Sequence, residues 1–352
     1  MTSPKSLRCP ARREEGEQGG WVHGMSKRGE QMKQKILIVQ PIHEQGVRVF
    51  DDRFEVRVAS DPSVATVIRE IKGVSGVVVR TAPFTREIIV AANALKVIGR
   101  HGVGVDNIDI RAATEKGIVV VNTPNANATS VAEHTLTAIG ALAKHMVVRD
   151  RATREGWWAI RDGFNTEDLD GKTLGLIGMG RIGSMVARRA AAAFNMKVIA
   201  FDPYVAPEAA REQGVTLCPA VDDVFRQADV VSLHTPLNPE TRGFVNAERL
   251  RRMKPTAFLV NFSRGEVVDE PALCEALKQG VIAGAALDVY EKEPPAADNP
   301  LFALDNVILS PHSAALTREC VIRMATGAAE GVVDVLSGRR PPFVVNPEVF
   351  KT

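Results

Sequence analysis

Gly178, Gly180 and Gly183 stand in G-x-G-x-x-G spacing, with Met179, Arg181 and Ile182 between them. They follow a short apolar stretch, Thr173–Ile177, and open a helical run. Three glycines so spaced have separate physical uses. The first turns tightly, the second lets backbone approach a pyrophosphate, and the third packs helix on strand. Unpaired N–H groups at the start of the new helix would then face a diphosphate. A second apolar strand, Lys197–Phe201, ends at Asp202, twenty-four residues past Gly178. A spacing of roughly twenty is what a carboxylate needs to grip the ribose hydroxyls of a dinucleotide. A glycine-rich turn with no ligand is the bland alternative, and the ordered succession of strand, turn, helix, strand and acid counts against it.

Three further polar residues each follow a strand-like stretch. Arg264 comes after 259–263 and directly before Gly265. Its planar guanidinium fork matches a carboxylate and can polarise a carbonyl, though a structural ion pair would also suit it. Glu293 lies among the acids of Asp288-Val289-Tyr290-Glu291-Lys292-Glu293-Pro294, most of which are expected to be solvated. His312 follows a strand and Pro311. A lone histidine is more often structural, but a histidine paired with a carboxylate is an economical device for moving one proton near neutral pH. The carboxylate would raise the imidazole pKa and fix its orientation.

The elements that must position these groups read as an α/β alternation. Lys35 to Val39 opens the folded part, after a polar segment 1–34 read as a disordered extension without a targeting signal. Strands are expected at 54–58, 76–79, 96–99, 103–104 and 118–121, with helices at 62–71 and 85–94. One long helix is expected from Ser130 to about Glu155, with Leu142 and Met146 on its apolar stripe. Strands at 215–217, 230–233, 257–260, 284–289 and 307–310 follow the glycine motif. A helix at 317–336 precedes a tail from Pro341. Strand and helix in alternation imply parallel sheets covered on both faces, with ligands at the carboxyl ends of the strands.

Composition bounds the rest. With 352 residues the chain can hold two domains, and 45% hydrophobic with 24% charged residues is ordinary for a globular protein. A formal net charge of +2, with Lys and Arg dispersed among 42 acids, carries no nucleic-acid footprint. Four cysteines without a C-x-x-C pair suit a reducing cytoplasm and no structural zinc. No apolar run approaches the roughly 18 residues that span a bilayer.

Seven blocks in order carry a resemblance: 99–107 (GRHGVGVDN), 122–125 (NTPN), 178–183, 234–237 (HTPL), 263–265 (SRG), 286–294 and 311–312 (PH). Over residues 35–347 the chain resembles the D-isomer-specific 2-hydroxyacid dehydrogenases, on the phosphoglycerate dehydrogenase and hydroxypyruvate reductase branch. The resemblance implies two doubly wound parallel-sheet domains: an NAD-binding Rossmann domain (129–312) inserted into a flavodoxin-like substrate domain (35–128 and 313–347). The cleft between them would close on substrate. It implies Arg264, Glu293 and His312 as the catalytic set. Thr235, Phe262, Ser263 and Asp288 would line the nicotinamide side, and the backbone at Val103 and Gly104 would bind the substrate carboxylate. Arg80 matches a substrate-side arginine of that branch. The cofactor would be NAD, since Asp202 repels a 2′-phosphate. No metal is implied, and a homodimer or tetramer is expected.

The resemblance has departures. His101 and Val103 stand where several phosphoglycerate dehydrogenases carry small polar residues, which loosens the link to 3-phosphoglycerate. A serine-regulated C-terminal domain is not expected. Glu293 stands where a formate dehydrogenase of the same superfamily would carry glutamine. An NAD-sensing corepressor on the same fold is the alternative of a different class, and turnover of NADH with a 2-oxo acid would separate the two.

Overall fold

The computed structural model describes residues 33–163 and 165–351. All but the last two residues of the expected N-terminal extension lie outside them. The described chain forms two compact units: residues up to Asn122 together with those from Ala325, and Thr123–Met324.

The first unit is built on five parallel strands: β1 (Gln34–Ile38), β2 (Phe54–Val58), β3 (Gly76–Val79), β4 (Val97–Arg100) and β5 (Val119–Val121). Their order, β2-β1-β3-β4-β5, is the flavodoxin-like arrangement. Successive residues feed opposite faces. Leu37, Val77, Ile98 and Val120 join one core, and Ile36, Ile38, Val78, Val97 and Val119 join the other. Burial on both faces is why these strands read as unbroken apolar runs instead of alternating ones. The second core is completed by Ala328, Ala329, Val332 and Val333. A Cβ on Gly99 would stand 2.7 Å from Val332, so the sheet accepts this late helical segment only because glycine is there.

The second unit holds seven parallel strands: β6 (Thr173–Ile177), β7 (Lys197–Phe201), β8 (Val215–Leu217), β9 (Val230–Leu233), β10 (Phe258–Asn261), β11 (Gly284–Leu287) and β12 (Val307–Leu309). The order is β12-β11-β10-β9-β6-β7-β8. Chain order reverses between β6 and β9, and such a switch point opens a crevice at the carboxyl ends.

Three expectations from the sequence need correction. Residues 103–104 form a loop and not a strand. The single helix expected over 130–155 is two, Ala128–Ala143 and Met146–Arg154, broken where His145 takes a left-handed φ of 50°. Met146 continues the apolar period past Leu142 but is 58% exposed, so periodicity alone could not locate the break. The segment after Pro341 is no loose tail. Val344 bridges Val121 antiparallel, and buried Asn346 bonds the Val120 N–H and the Ile118 carbonyl. Among the described residues, no helix is long and apolar enough to cross a membrane.

Candidate active site

The expected dinucleotide residues come together at the switch point of the second unit. β6 leads into Gly178, whose φ of +97° favours glycine and where a Cβ would stand 2.6 Å from the His234 carbonyl oxygen. A Cβ on Gly183 would meet the Gly178 carbonyl oxygen at 2.2 Å, which accounts for the third glycine. Gly180 is different, because a Cβ there meets nothing within 4 Å. The space beside it belongs to no protein atom. Gly180 caps helix Arg181–Phe194 with no side-chain bond, so the N–H groups of the first turn, from Arg181, Ile182 and Gly183, stay available to an anion. Asp202, at the end of β7, accepts from the Met179 and Tyr204 N–H groups and thus ties the carboxylate to the glycine loop. Thr235 follows β9 with its methyl group near Gly178, and its Oγ1 is buried without a partner. An open glycine, an uncapped helix start and an orphaned hydroxyl are what a bound diphosphate nucleotide would satisfy. The residues fit NAD.

Arg264, Glu293 and His312 follow three adjacent strands, β10, β11 and β12. Buried Asn261 closes β10 by accepting from the Ser263 N–H and Oγ–H and donating to the Arg264 carbonyl. The Arg264 guanidinium donates to the Ser263 carbonyl at 2.7 Å. A Cβ on Gly265 would lie 1.9 Å from the Tyr290 carbonyl carbon, so only glycine lets the Arg264 loop sit against the loop that carries Glu293. Phe262 packs edge-on against His134, with ring centroids 4.9 Å apart.

His312 Nδ1 and Glu293 Oε2 are 2.6 Å apart. An ionised carboxylate only accepts, so Nδ1 carries the proton of this bond and Nε2 is left for chemistry. The second Glu293 oxygen accepts from the Tyr290 N–H. Burial pushes the Glu293 carboxyl up, but the bond from His312, the charges of His312 and Arg264 and the Tyr290 N–H together hold it below the usual carboxylate range.

His312 itself sits at a positive φ of 51°. Asp288 holds that turn. Its carbonyl accepts from the His312 N–H, and its carboxylate accepts from the Ser313 and Ala314 N–H groups and the Ser310 hydroxyl. Ser310 is also 3.3 Å from His134 Nε2, and its carbonyl accepts from Tyr290 Oη.

The family model for the NAD-binding domain of D-isomer specific 2-hydroxyacid dehydrogenases matches residues 136–314. A D-3-phosphoglycerate dehydrogenase of Methanocaldococcus jannaschii is 45% identical over 313 residues, covering 89% of this chain and 59% of the relative. A glyoxylate reductase of Korarchaeum cryptofilum is 40% identical, covering 91% and 98%. The crystal structure of the TT0316 protein from Thermus thermophilus superimposes with a TM-score of 0.82 at 36% identity, covering 88% and 99%. The chain belongs to the D-isomer specific 2-hydroxyacid dehydrogenase family. It spans less than two thirds of the length of the archaeal phosphoglycerate dehydrogenase.

The family member's remaining expected residues lie in the first unit, on neighbouring strands. Arg80 follows β3 and donates to the Pro41 carbonyl. Val103 and Gly104 follow β4, and Val103 O accepts from Asn122 Nδ2 at 2.8 Å. Sequence reasoning named none of Arg100, Asn122 and Asn261 as holding the site loops, and gave Asp288 only a place on the nicotinamide side. Asn261 was visible as the polar end of a strand directly before Ser263. The part Asp288 plays under His312 spans 24 positions and gave no local signal.

Proposed function

We propose that this chain is an NAD-dependent D-2-hydroxyacid dehydrogenase, interconverting a small 2-hydroxy acid and its 2-oxo acid. The observation that carries the reading is the 2.6 Å His312–Glu293 pair, placed with Arg264 in the loops after three neighbouring strands of one sheet. When bound, NAD(H) supplies or takes up the hydride. His312 Nε2 gives a proton to the carbonyl oxygen in reduction and removes it in oxidation. Glu293 holds the ring in orientation through its bond to Nδ1. Arg264 holds the carboxylate and carbonyl of the acid and stabilises negative charge as it develops on oxygen. The N–H groups of Val103 and Gly104 take the substrate carboxylate. Thr235, Phe262, Ser263 and Asp288 face the nicotinamide, and Arg181, Ile182 and the three glycines face the diphosphate.

The substrate belongs to the 3-phosphoglycerate, hydroxypyruvate or glyoxylate type. Relatives named for the first and the last of these support that range. Arg80 is the group available to a phosphate. Asp202 favours NAD over its 2′-phosphorylated form. We place the enzyme in the cytoplasm as a homodimer. Support comes from Cys218, Cys274 and Cys320, none of which forms a disulfide. Met146, Val147, Trp157 and Trp158, each more than half exposed on one unit, suit a surface covered by a second copy.

NADH consumption is measured with hydroxypyruvate, glyoxylate, pyruvate and phosphohydroxypyruvate, each beside His312→Ala. Turnover that the variant lacks by about 10²- to 10⁴-fold supports the mechanism. NADH binding without turnover of any acid, or equal turnover by the variant, removes it.

A further inference from the structure

The loop after β4 is held in an unusual sense. The Arg100 guanidinium donates from Nε to the Gly104 carbonyl at 2.7 Å and from Nη1 to the His101 carbonyl. Asn122 Nδ2 donates to the Val103 carbonyl. Three carbonyls of one short loop are therefore taken by side-chain donors. In a planar trans peptide, the N–H of the next residue points opposite to the carbonyl. Fixing the Val103 and Gly104 carbonyls on Asn122 and Arg100 thus directs the Gly104 and Val105 N–H groups away from those side chains. The Val103, Gly104 and Val105 N–H groups have no acceptor among the described residues. Gly102 makes this possible: its φ is +138°, and a Cβ there would stand 2.5 Å from Arg100 Nη1.

We infer that Arg100 is a positioning residue for substrate. It acts through the loop carbonyls, not by touching the acid, and it adds the Val105 N–H to those of Val103 and Gly104 as a nest for the carboxylate. This rests on the dehydrogenase reading given above. Successive N–H groups left without a protein acceptor can bind an anion, and a bond from each to a carboxylate is stronger than one between neutral groups. The role needs a fork that reaches two carbonyls at once, which a lysine ammonium on a single flexible stem reproduces poorly.

The test uses Arg100→Lys, Arg100→Ala and Asn122→Ala in the full chain. Arg100→Lys and Arg100→Ala should raise KM for the preferred 2-oxo acid about 10- to 100-fold, the loss of one or two charge-assisted bonds. KM for NADH should stay within about twofold of the parent. Free guanidinium at low, non-denaturing concentration should restore much of the Arg100→Ala loss. Asn122→Ala leaves Arg100 intact and should raise the same KM by a smaller factor. A near-parental KM in Arg100→Lys would show that charge alone matters and overturn the inference, as would an unchanged KM in Asn122→Ala. Oxalate binding by calorimetry reads the nest without turnover. If the parent turns over no 2-oxo acid, the dehydrogenase reading fails. Oxalate affinity that still falls in both Arg100 variants and in Asn122→Ala would leave the clamp standing.

Discussion

Loops at the ends of the two sheets are held by groups of different hydrogen-bonding character. In the second unit carboxylate acceptors tie several of these loops, beside donors from Asn261 and Tyr290. Asp288 takes the Ser313 and Ala314 N–H groups, Glu293 takes that of Tyr290, and Asp202 takes those of Met179 and Tyr204. In the first unit the loop after β4 is tied by donors, Arg100 and Asn122, which take its carbonyls. A carboxylate that fixes a loop uses up N–H groups, whereas a guanidinium or amide leaves them unspent. The same parallel architecture therefore leaves carboxylate-pinned loops in one unit and a loop with unspent N–H groups in the other. In the second unit, N–H groups are likewise left open where a helix starts uncapped, after Gly180.

The sharpest break is expected from Gly265→Ala. Its Cβ would meet Tyr290 backbone, which cannot yield without moving the Glu293 loop, so denaturant unfolding should show a loss of about 3 kcal/mol or more. A stability within about 1 kcal/mol of the parent would contradict that packing. Asp288→Asn turns one accepting oxygen into a donor facing N–H or O–H groups. We expect about 2–3 kcal/mol of destabilisation. Faster amide exchange should be confined to the loop around His312, and uniform exchange across the unit would argue against a local pin.

His234, beneath the glycine loop, is pushed down to about 4 by burial. The unfolded chain takes up that proton near 6.5, so this contribution to stability is present above about pH 6.5 and is lost as pH falls toward 4. His234 is a partly exposed residue, which places the loss at about 1 kcal/mol, below the roughly 3 kcal/mol that the shift alone implies. Glu293, held below the usual carboxylate range, adds a stabilising term lost at still lower pH, as pH falls through its folded value. Unfolding curves across this range should flatten in His234→Gln, and an unchanged slope would dismiss the assignment. The smallest effect on stability is expected from Gly180→Ala, within about 1 kcal/mol, because only the capping preference changes. NADH affinity by fluorescence should nevertheless fall about tenfold or more as the Cβ enters the diphosphate space.

Much of this was legible in the sequence because the signals were local. Gly178 to Gly183 and Asp202 lie within one strand–helix–strand unit, and the buried strands announce themselves as apolar runs. The break at His145 was not legible, since a left-handed residue there interrupts a pattern that Met146 continues. Nor was the docking of Asn346, which depends on backbone groups at Ile118 and Val120, far away in the chain. Arg264, Glu293 and His312 each had a plain structural alternative until the family blocks were seen together. Asp288 and Arg100 act on backbone groups of folded loops, so residue type and spacing could not reveal which carbonyls or N–H groups they hold.

The apolar face formed by Ile36, Ile38, Val78, Val97 and Val119 is covered by Ala328, Ala329, Val332 and Val333. The covering segment leaves the ribosome about 200 residues after Val121, or roughly 10–40 s later at about 5–20 residues per second. Protease cutting of stalled nascent chains should find the second unit resistant while the first is still open, and the reverse order would refute this. In the interval the first-made sheet has one wet face, and a chaperone or the growing chain itself must keep it from its neighbours on the polysome.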